Sequence, residues 1–193
     1  MRIIAGRWKG RVLTAPPGLT TRPTSDRARQ AIFDQLWHAP WAGRDMLEDA
    51  VVLDGFAGTG AMGLEALSRG AARAFFMEQD RAALAALRAN IAGCKAGDAC
   101  RVIASDVTAP PIAAAPCSLV FLDPPYGMGL VPRALAGLLA KGWIAPGALI
   151  IAETGRDEAT EIPPGFELIS TREHGAARLS VLRHMLDCGA APS

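Results

Sequence analysis

From Val51 onward the chain alternates short apolar runs with segments of helical periodicity, and this alternation constrains the fold more than any other feature. Short buried strands that alternate with helices of about three turns are typical of an α/β fold, in which a parallel sheet carries helices on both faces. The last two apolar runs flank Glu173-His174-Gly175 and leave no room for a crossover helix, so they are predicted to be antiparallel. The predicted strands cover residues 51–54, 74–78, 101–104, 118–122, 148–153, 167–171 and 178–182, and the helices between them cover 61–69, 81–91 and 131–141.

The residues before this alternation follow a different pattern. Residues 2–4 and 11–13 flank two glycines, which is consistent with a small β-hairpin, and a Pro-Pro-Gly sequence then breaks regular structure. Residues 24–37 have helical periodicity, and Thr24 or Ser25 is expected to cap this helix. The predicted parts of the chain are an N-terminal hairpin extension over residues 1–23 and a main domain over residues 24–193.

The net charge of +1 conceals an asymmetry along the chain. Residues 1–30 carry seven Lys and Arg against one Asp, whereas the remaining residues carry 13 basic and 18 acidic side chains. This imbalance suggests an arm that binds a polyanion, although charge alone fits a solvated basic start equally well. The basic residues of this segment are Arg2, Arg7, Lys9, Arg11, Arg22, Arg27 and Arg29.

Composition excludes several classes of protein. No apolar run approaches the ~18 residues that span a bilayer, and the first residues lack the apolar stretch of a secretory signal, so we expect a cytoplasmic protein with no membrane partner. The four cysteines form no CxxC pair, and the three histidines do not complete a zinc pattern around them. We therefore expect reduced thiols and no metal.

The first motif with chemical content is the glycine-rich segment 51–60, Val-Val-Leu-Asp-Gly-Phe-Ala-Gly-Thr-Gly. Its glycines allow the backbone to approach a ligand closely. They also satisfy the GxGxxG pattern of NAD-binding folds, with an acidic Glu78 at the expected distance. However, Asp54 and three more residues separate the strand from the first glycine of that pattern, and a carboxylate there suits a ligand that presents an amine. The motif favours S-adenosylmethionine over NAD but leaves both open.

Two further acidic residues lie near predicted strand ends. Glu78 ends the second strand, where a carboxylate can accept hydrogen bonds from both hydroxyls of a ribose. Asp106 follows the third strand and is similarly placed to accept from an adenine amino group. A helix cap or a turn residue is the alternative interpretation of Asp106.

The most informative motif is the segment 119–126, in which an apolar strand runs into Asp123-Pro124-Pro125-Tyr126. An exocyclic amine on a nucleobase is a poor nucleophile because its lone pair is delocalised into the ring. The Asp123 carboxylate and the Pro124 carbonyl can accept its two N–H groups, and the two prolines fix the direction of that carbonyl. Tyr126 offers a face on which an unpaired base can stack, worth ~1–3 kcal/mol.

These motifs resemble the class I amino-methyltransferase pattern and, more specifically, the RsmD-type 16S ribosomal RNA guanine-N2 methyltransferases of bacteria. The specific part is Arg-Ile-Ile-Ala-Gly-Arg-Trp-Lys-Gly-Arg at residues 2–11 and Arg-Pro-Thr-Ser-Asp-Arg at residues 22–27. Residues 63–71 match as well, whereas Asp-Pro-Pro-Tyr alone would also fit adenine-N6 enzymes. The sequence departs from the pattern at Gly55, where we expect leucine, and at His174, where we expect an aromatic residue.

The resemblance implies a Rossmann-like class I methyltransferase sheet of seven strands, mostly parallel with an antiparallel C-terminal hairpin, and an N-terminal hairpin that helps to hold RNA. It implies S-adenosyl-L-methionine as cofactor and, as substrate, a guanine of 16S rRNA in an assembled or partly assembled small ribosomal subunit. We expect the protein to act as a monomer. The implied roles are the methionine end of the cofactor pocket for Asp54, Phe56, Gly58 and Gly60, ribose for Glu78, adenine for Asp106, the target amine and base for Asp123, Pro124, Pro125 and Tyr126, and RNA contact for Arg2, Arg7, Lys9, Arg11 and Arg22.

Three other functions remain open on the sequence. An adenine-N6 methyltransferase acting on DNA or RNA shares the Asp-Pro-Pro-Tyr motif, but on DNA it would usually carry a separate target-recognition domain, for which 193 residues leave no room. A non-catalytic RNA-binding assembly factor could retain the fold, although it need not keep an amine cradle. A NAD oxidoreductase would need a pair of hydride-chemistry residues that the sequence does not display.

Overall fold

The computed structural model describes residues 1–16, 26–42, 46–158 and 161–185. Its strands are β1 (Val51–Gly55), β2 (Arg73–Glu78), β3 (Cys100–Ala104), β4 (Cys117–Leu122), β5 (Ile144–Gly155), β6 (Phe166–His174) and β7 (Ala177–His184). They form one seven-stranded sheet in the order β3-β2-β1-β4-β5-β7-β6. Strands β1 to β5 are parallel, and β7 is antiparallel to both β5 and β6. The predicted α/β class and the antiparallel C-terminal pair are confirmed.

The described residues form four α-helices that cover both faces of the sheet. They are α1 (Asp26–His38), α2 (Ala61–Ser68), α3 (Arg81–Gly93) and α4 (Leu130–Ala140). Helices α1, α2 and α3 pack on one face, which we call the front face, and α4 packs on the back face. Because the chain moves outward in opposite directions from β1 and β4, the strand order reverses between them, and open α/β sheets bind ligands at such a point. None of the helices in the described ranges has the length and apolarity needed to cross a bilayer.

An aromatic pair packs on each face of the sheet. On the front face, Phe33 of α1 packs against Phe121 of β4 with ring centroids 5.6 Å apart. On the back face, Phe75 of β2 meets Trp143 edge to face at 5.2 Å, and the Trp143 indole N–H donates to the Pro111 carbonyl at 2.8 Å. Such ring pairs contribute about 0.5–1.5 kcal/mol beyond the area they bury. The Phe33–Phe121 pair fixes α1 over β4, the strand that runs into the Asp-Pro-Pro-Tyr motif.

Apart from the end of β6, which was predicted at residue 171 but lies at His174, the predicted elements agree with the structure to within two residues except at the start of β5. This strand was predicted to begin at residue 148, but it begins at Ile144. Ile144 pairs with Cys117 of β4, and the register then shifts, so that Leu149 pairs with Leu119. The Pro146-Gly147 pair within the shifted segment resembles a turn in the sequence, and the irregular pairing accommodates it as a bulge.

The predicted N-terminal hairpin is present. The Ile3 N–H donates to the Arg11 carbonyl at 2.9 Å, and the Leu13 N–H donates to the Met1 carbonyl at 3.1 Å. A turn of 3-10 helix, Gly6–Trp8, forms its tip. Both the expected cap, Thr24 or Ser25, and the predicted boundary between residues 23 and 24 lie outside the described residues, so these remain predictions.

Helix α2 holds the outgoing strand of the hairpin. Glu65, fully buried in α2, accepts the N–H groups of Ile4 and Ala5 at 2.8 and 3.0 Å and pairs with Arg69 at 2.7 Å. The Ser68 hydroxyl donates to the Ala5 carbonyl at 2.6 Å and accepts the Trp8 N–H at 3.0 Å. The hairpin is therefore joined to the body through its backbone.

Helix α3 holds the returning strand through one buried side chain. The Asn90 amide oxygen accepts the Thr14 N–H at 2.8 Å, and its NH₂ group donates to the carbonyls of Thr14 at 3.0 Å and Thr59 at 2.9 Å. Asn90 thus connects the hairpin to the glycine-rich segment that follows β1.

Candidate active site

Three carboxylates lie side by side at the carboxyl ends of adjacent strands, where the strand order reverses. Leu122 of β4 pairs with Ala152 of β5, so the residues that follow them are neighbours across the sheet. Side chains alternate between the faces of a strand, and residues two apart share a face. Val52, Phe121 and Ile151 face the front-face helices, and the residues two positions after them are Asp54, Asp123 and Glu153. The three carboxylates therefore lie on the front face, beneath α1 and α2.

Asp54 is the most buried of the three, with 4 % of its surface exposed. One carboxylate oxygen accepts the Gly63 N–H at 2.8 Å. Burial raises the pKa of Asp54 to about 8, and the neighbouring carboxylates of Asp123 and Glu78 add to the rise, while the Gly63 bond and the Arg29 guanidinium oppose it. The side chain is therefore largely protonated at neutral pH unless a cation binds beside it.

The glycine-rich segment makes a tight loop between β1 and α2. Phe56, Gly58 and Gly60 all have positive φ angles, of 58°, 53° and 79°. An added Cβ at Gly60 would lie 2.4 Å from Leu87, which explains why only glycine fits there. At Gly58 an added Cβ would approach only the Phe56 carbonyl oxygen, at 3.9 Å, so open space lies over this part of the loop.

Glu78, at the end of β2, fixes the same loop. One of its oxygens accepts the Gly58 N–H at 2.8 Å, and the other accepts the N–H groups of Gln79 and Asp80, both at 2.8 Å. A carboxylate offers about four acceptor positions, so roughly one remains for a ribose hydroxyl. The side chain thus shapes the loop in addition to its predicted role in binding ribose.

Asp106 is exposed after β3 and stabilises a turn. One of its oxygens accepts both the backbone N–H and the hydroxyl of Thr108, at 2.8 and 2.9 Å. This geometry matches the alternative of a turn residue, and the adenine contact of Asp106 stays a prediction.

The Asp-Pro-Pro-Tyr motif begins the loop between β4 and α4. Asp123 is half-buried, Pro124 is buried and Pro125 is exposed. Tyr126 has 44 % of its surface exposed, and its hydroxyl donates to the carboxylate of Glu153 on β5. The four residues are thus brought to the strand-order reversal as predicted, with the tyrosine partly exposed.

The far end of this loop is held by Glu158, beyond β5. Its carboxylate accepts the N–H groups of Gly127 at 2.9 Å, Gly129 at 3.1 Å and Gly155 at 3.3 Å. Partial burial acts to raise the pKa of Glu158, but the three backbone donors together outweigh it and lower the pKa below its ordinary value. Glu158 therefore binds the loop to the end of β5 as an ionised carboxylate.

The basic residues predicted to contact RNA lie along the hairpin. Arg2, Arg7, Lys9 and Arg11 are all exposed, and Arg22 lies outside the described residues. The tip carrying Arg7 and Lys9 packs near Ser68, at the end of α2 remote from the glycine-rich loop, which is about 12 Å away along an eight-residue helix. The Arg2 guanidinium is 3.6 Å from the Asp26 carboxylate at the start of α1.

Several residues of this region were missed by the sequence analysis. Glu65 and Asn90 hold the hairpin, and Arg29, 1 % exposed, donates to the Arg2 carbonyl at 2.6 Å. Glu153 and Glu158 contact the Asp-Pro-Pro-Tyr loop. Glu153 could have been found, because the other acidic residues at strand ends had all been selected. Within the described ranges, His, Cys, Asp and Glu side chains form no group that could hold a metal ion.

The strand order, with β7 inserted antiparallel between β5 and β6, defines the molecule as a class I methyltransferase by fold. Comparisons with known proteins identify its family. The model of a family described as Conserved hypothetical protein 95 matches residues 1–183. The chain belongs to this family, that of the RsmD-type methyltransferases, and the predicted resemblance is confirmed.

Individual relatives extend over most of the chain. It is 43 % identical over 154 residues to Ribosomal RNA small subunit methyltransferase D of Escherichia coli (strain K12), covering 80 % of this chain and 74 % of that protein. It is 34 % identical over 179 residues to the protein of the same name from Haemophilus influenzae, covering 91 % and 89 %. The solved structure of the yhhF protein of Escherichia coli matches with a TM-score of 0.80 and 38 % identity, over 97 % of this chain and 99 % of that one.

Proposed function

We propose that this protein transfers a methyl group from S-adenosylmethionine to the exocyclic N2 of a guanine in 16S ribosomal RNA. The observation that carries the proposal is the position of Asp123-Pro124-Pro125-Tyr126 beside the glycine-rich loop, at the strand-order reversal. The names of the relatives from Escherichia coli and Haemophilus influenzae support ribosomal RNA of the small subunit as the substrate.

The site fits the proposed cofactor. Open space over Gly58 can admit a ligand close to the backbone, and Glu78 retains an acceptor position for a ribose hydroxyl. Asp54, with its pKa of about 8, becomes ionised when the ammonium of the methionine moiety lies nearby, because an opposite charge favours the carboxylate. When bound, the cofactor supplies an electrophilic methyl group on a sulfonium. We assign the adenine contact to Asp106.

The residues after β4 prepare the amine. The Asp123 carboxylate and the Pro124 carbonyl accept its two N–H groups, which withdraws the nitrogen lone pair from the ring and directs it toward the cofactor side of the site. Asp123 acts as a fixed acceptor, because the loop is already held at Tyr126 and at the Glu158 carboxylate. The exposed face of Tyr126 stacks on the base.

Binding of the larger substrate involves the N-terminal hairpin. The exposed cations Arg2, Arg7, Lys9 and Arg11, with Arg22, contact phosphates and supply affinity that does not depend on sequence. Among the described cations, Arg2 lies beside Asp26 of α1 and Arg11 beside Gly93 of α3, and this spread suits a substrate that extends well beyond the target base, such as an assembled or partly assembled small subunit. We place the enzyme in the cytoplasm, where such subunits form, and expect it to act as a monomer without a metal.

The test is a product analysis. The protein is incubated with methyl-labelled S-adenosylmethionine and small subunits that lack their native methylations, and the RNA is digested to nucleosides. We expect label in N2-methylguanosine. Label in N6-methyladenosine would retain the enzyme class but overturn the base, and absence of label on both subunits and free RNA would overturn the function.

A further inference from the structure

Glu153 lies next to Asp123 in the site, and nothing above assigns it a part in the reaction. The two residues follow the paired positions Leu122 and Ala152, and both side chains lie on the front face. Both line one depression at the carboxyl end of the sheet. Any base whose amine reaches Asp123 therefore brings its neighbouring atoms toward Glu153.

The surroundings of these two carboxylates are apolar. The depression is walled by Ile32 of α1, Met62 of α2 and Leu179 of β7. Its volume is about 10 Å³, room for one water molecule, so a base that binds here would lie across its opening, where the Tyr126 hydroxyl contacts Glu153. Among the described residues that line the depression, Asp123 and Glu153 are the polar ones, and both are hydrogen-bond acceptors.

Two adjacent acceptors complement one base in particular. Guanine carries an N1–H donor directly beside its N2 amine, whereas the atom beside the N6 amine of adenine is an unprotonated N1 that repels a carboxylate. We propose that Glu153 determines specificity for guanine by accepting the N1–H of the target base while Asp123 accepts the N2 amine. This inference rests on the proposed function.

The contact between Glu153 and Tyr126 leaves this role available. The tyrosine hydroxyl occupies one position on Oε1, and an ionised carboxylate has about four acceptor positions. The same contact fixes the Glu153 side chain relative to the ring on which the base stacks. Glu153 thus accepts a hydrogen bond from the edge of the base, while Tyr126 stacks on the face of the same base.

A change of base at the target position tests the proposal. Small subunits are assembled with 16S RNA that carries either guanine or 2-aminopurine at the methylated position. The analogue keeps the 2-amino group but presents an unprotonated N1. We expect wild-type kcat/KM to favour guanine, and we expect Glu153→Gln to lower that preference at least about 10-fold, because the glutamine amide can donate to N1 of the analogue.

Two variants distinguish recognition of the base by Glu153 from its hydrogen bond to the Tyr126 hydroxyl. Tyr126→Phe removes the hydroxyl that Glu153 accepts but keeps the ring, so we expect lower rates on both bases with the preference for guanine retained. Glu153→Asp retains a carboxylate and is expected to retain the preference. A loss of preference equal in Tyr126→Phe and Glu153→Gln would overturn the proposal.

A binding measurement covers the case of an inactive or unfolded variant. The affinities of both subunits are measured with S-adenosylhomocysteine present, and wild-type protein is expected to bind the guanine form at least about 10-fold more tightly. Equal affinities would overturn the role of Glu153. Methylation of guanine with a preference unchanged in Glu153→Gln overturns only this inference, whereas wild-type label on adenine, or on no base, overturns the proposed function itself.

Discussion

The two halves of the site, one on each side of the strand-order reversal, are built in different ways. On the side of β1 and β2, the Glu78 carboxylate accepts the Gly58 N–H of the glycine-rich loop, and the Asp54 carboxylate accepts the Gly63 N–H in the first turn of α2. On the side of β4 and β5, Glu153 accepts a tyrosine hydroxyl, and the adjoining loop is held from outside by Glu158. The first half is fixed by carboxylates that accept main-chain N–H groups, and the second by a contact between two side chains and by a more distant carboxylate that accepts main-chain N–H groups.

This difference matches the ligand that we propose for each half. A cofactor is the same in every turnover, so a loop of glycines and the acids beside it can be shaped to it once. A base must be distinguished from other bases, and discrimination depends on side chains whose donors or acceptors can differ. We therefore expect substitutions in the second half to alter catalysis and choice of base, and substitutions in the first half to alter stability and cofactor affinity.

The largest expected effect comes from Asp123→Ala. Removing one acceptor of the amine should lower kcat by about 10²–10³, by analogy with other preorganised hydrogen-bond partners, while S-adenosylmethionine affinity largely persists. Single-turnover methylation and calorimetric titration with the cofactor measure the two quantities. Unaltered turnover would contradict the assignment of the amine to Asp123.

The next effect concerns Asp54 and the pH dependence of stability. The raised pKa means that the folded state holds the proton more tightly than the unfolded state, whose ordinary value is 3.8, so its contribution to stability is complete below that value and is lost as pH rises through about 8. The wild type should therefore lose about 2–3 kcal/mol between pH 6 and pH 8 relative to Asp54→Asn. Denaturant unfolding of both proteins across this range measures the difference, and parallel curves would show that Asp54 is ionised in the folded protein.

A smaller effect is expected from Glu158→Gln. The amide offers one acceptor oxygen and places an NH₂ group against backbone donors, so the loop after β4 should lose part of its anchor. We expect kcat to fall roughly 10-fold with cofactor affinity unchanged. Asp157→Asn, which removes the same charge from the exposed preceding residue, is the control, and an equal loss in both variants would contradict an anchoring role.

The smallest effect concerns the hairpin. Replacing Arg7 and Lys9 by Gln should weaken RNA binding several-fold and reduce the slope of log affinity against log salt by about 1.5, because two phosphate contacts are lost. The double replacement of Arg73 and Arg101, exposed cations on β2 and β3, is the matched control and should leave the slope unchanged. The same slope in both double variants would show that RNA does not contact the tip.

Most of the fold could be predicted because short apolar runs alternate with segments of helical periodicity along the chain. The bulge at Pro146-Gly147 could not, because its strand pairing depends on Cys117, almost thirty residues earlier. Glu153 could have been predicted as a site residue, because it is an acidic residue at the end of a predicted strand, as Asp54, Glu78 and Asp123 are. Glu158 was not, since its partners are backbone groups that only the folded loops bring together.

The buried Glu65 has a consequence for the order in which the molecule can assemble. Its carboxylate accepts the backbone N–H groups of Ile4 and Ala5, which are synthesised some sixty residues earlier. Asn90 accepts the N–H of Thr14, which is separated from it by a still longer stretch of chain. During synthesis on the ribosome, the backbone groups of the first residues therefore cannot form these hydrogen bonds until α2 and α3 have emerged. Deleting them would not yield a smaller enzyme with weaker RNA binding, because α2 would retain a buried acid without its backbone donors, and loss of such partners costs about 1–3 kcal/mol or more.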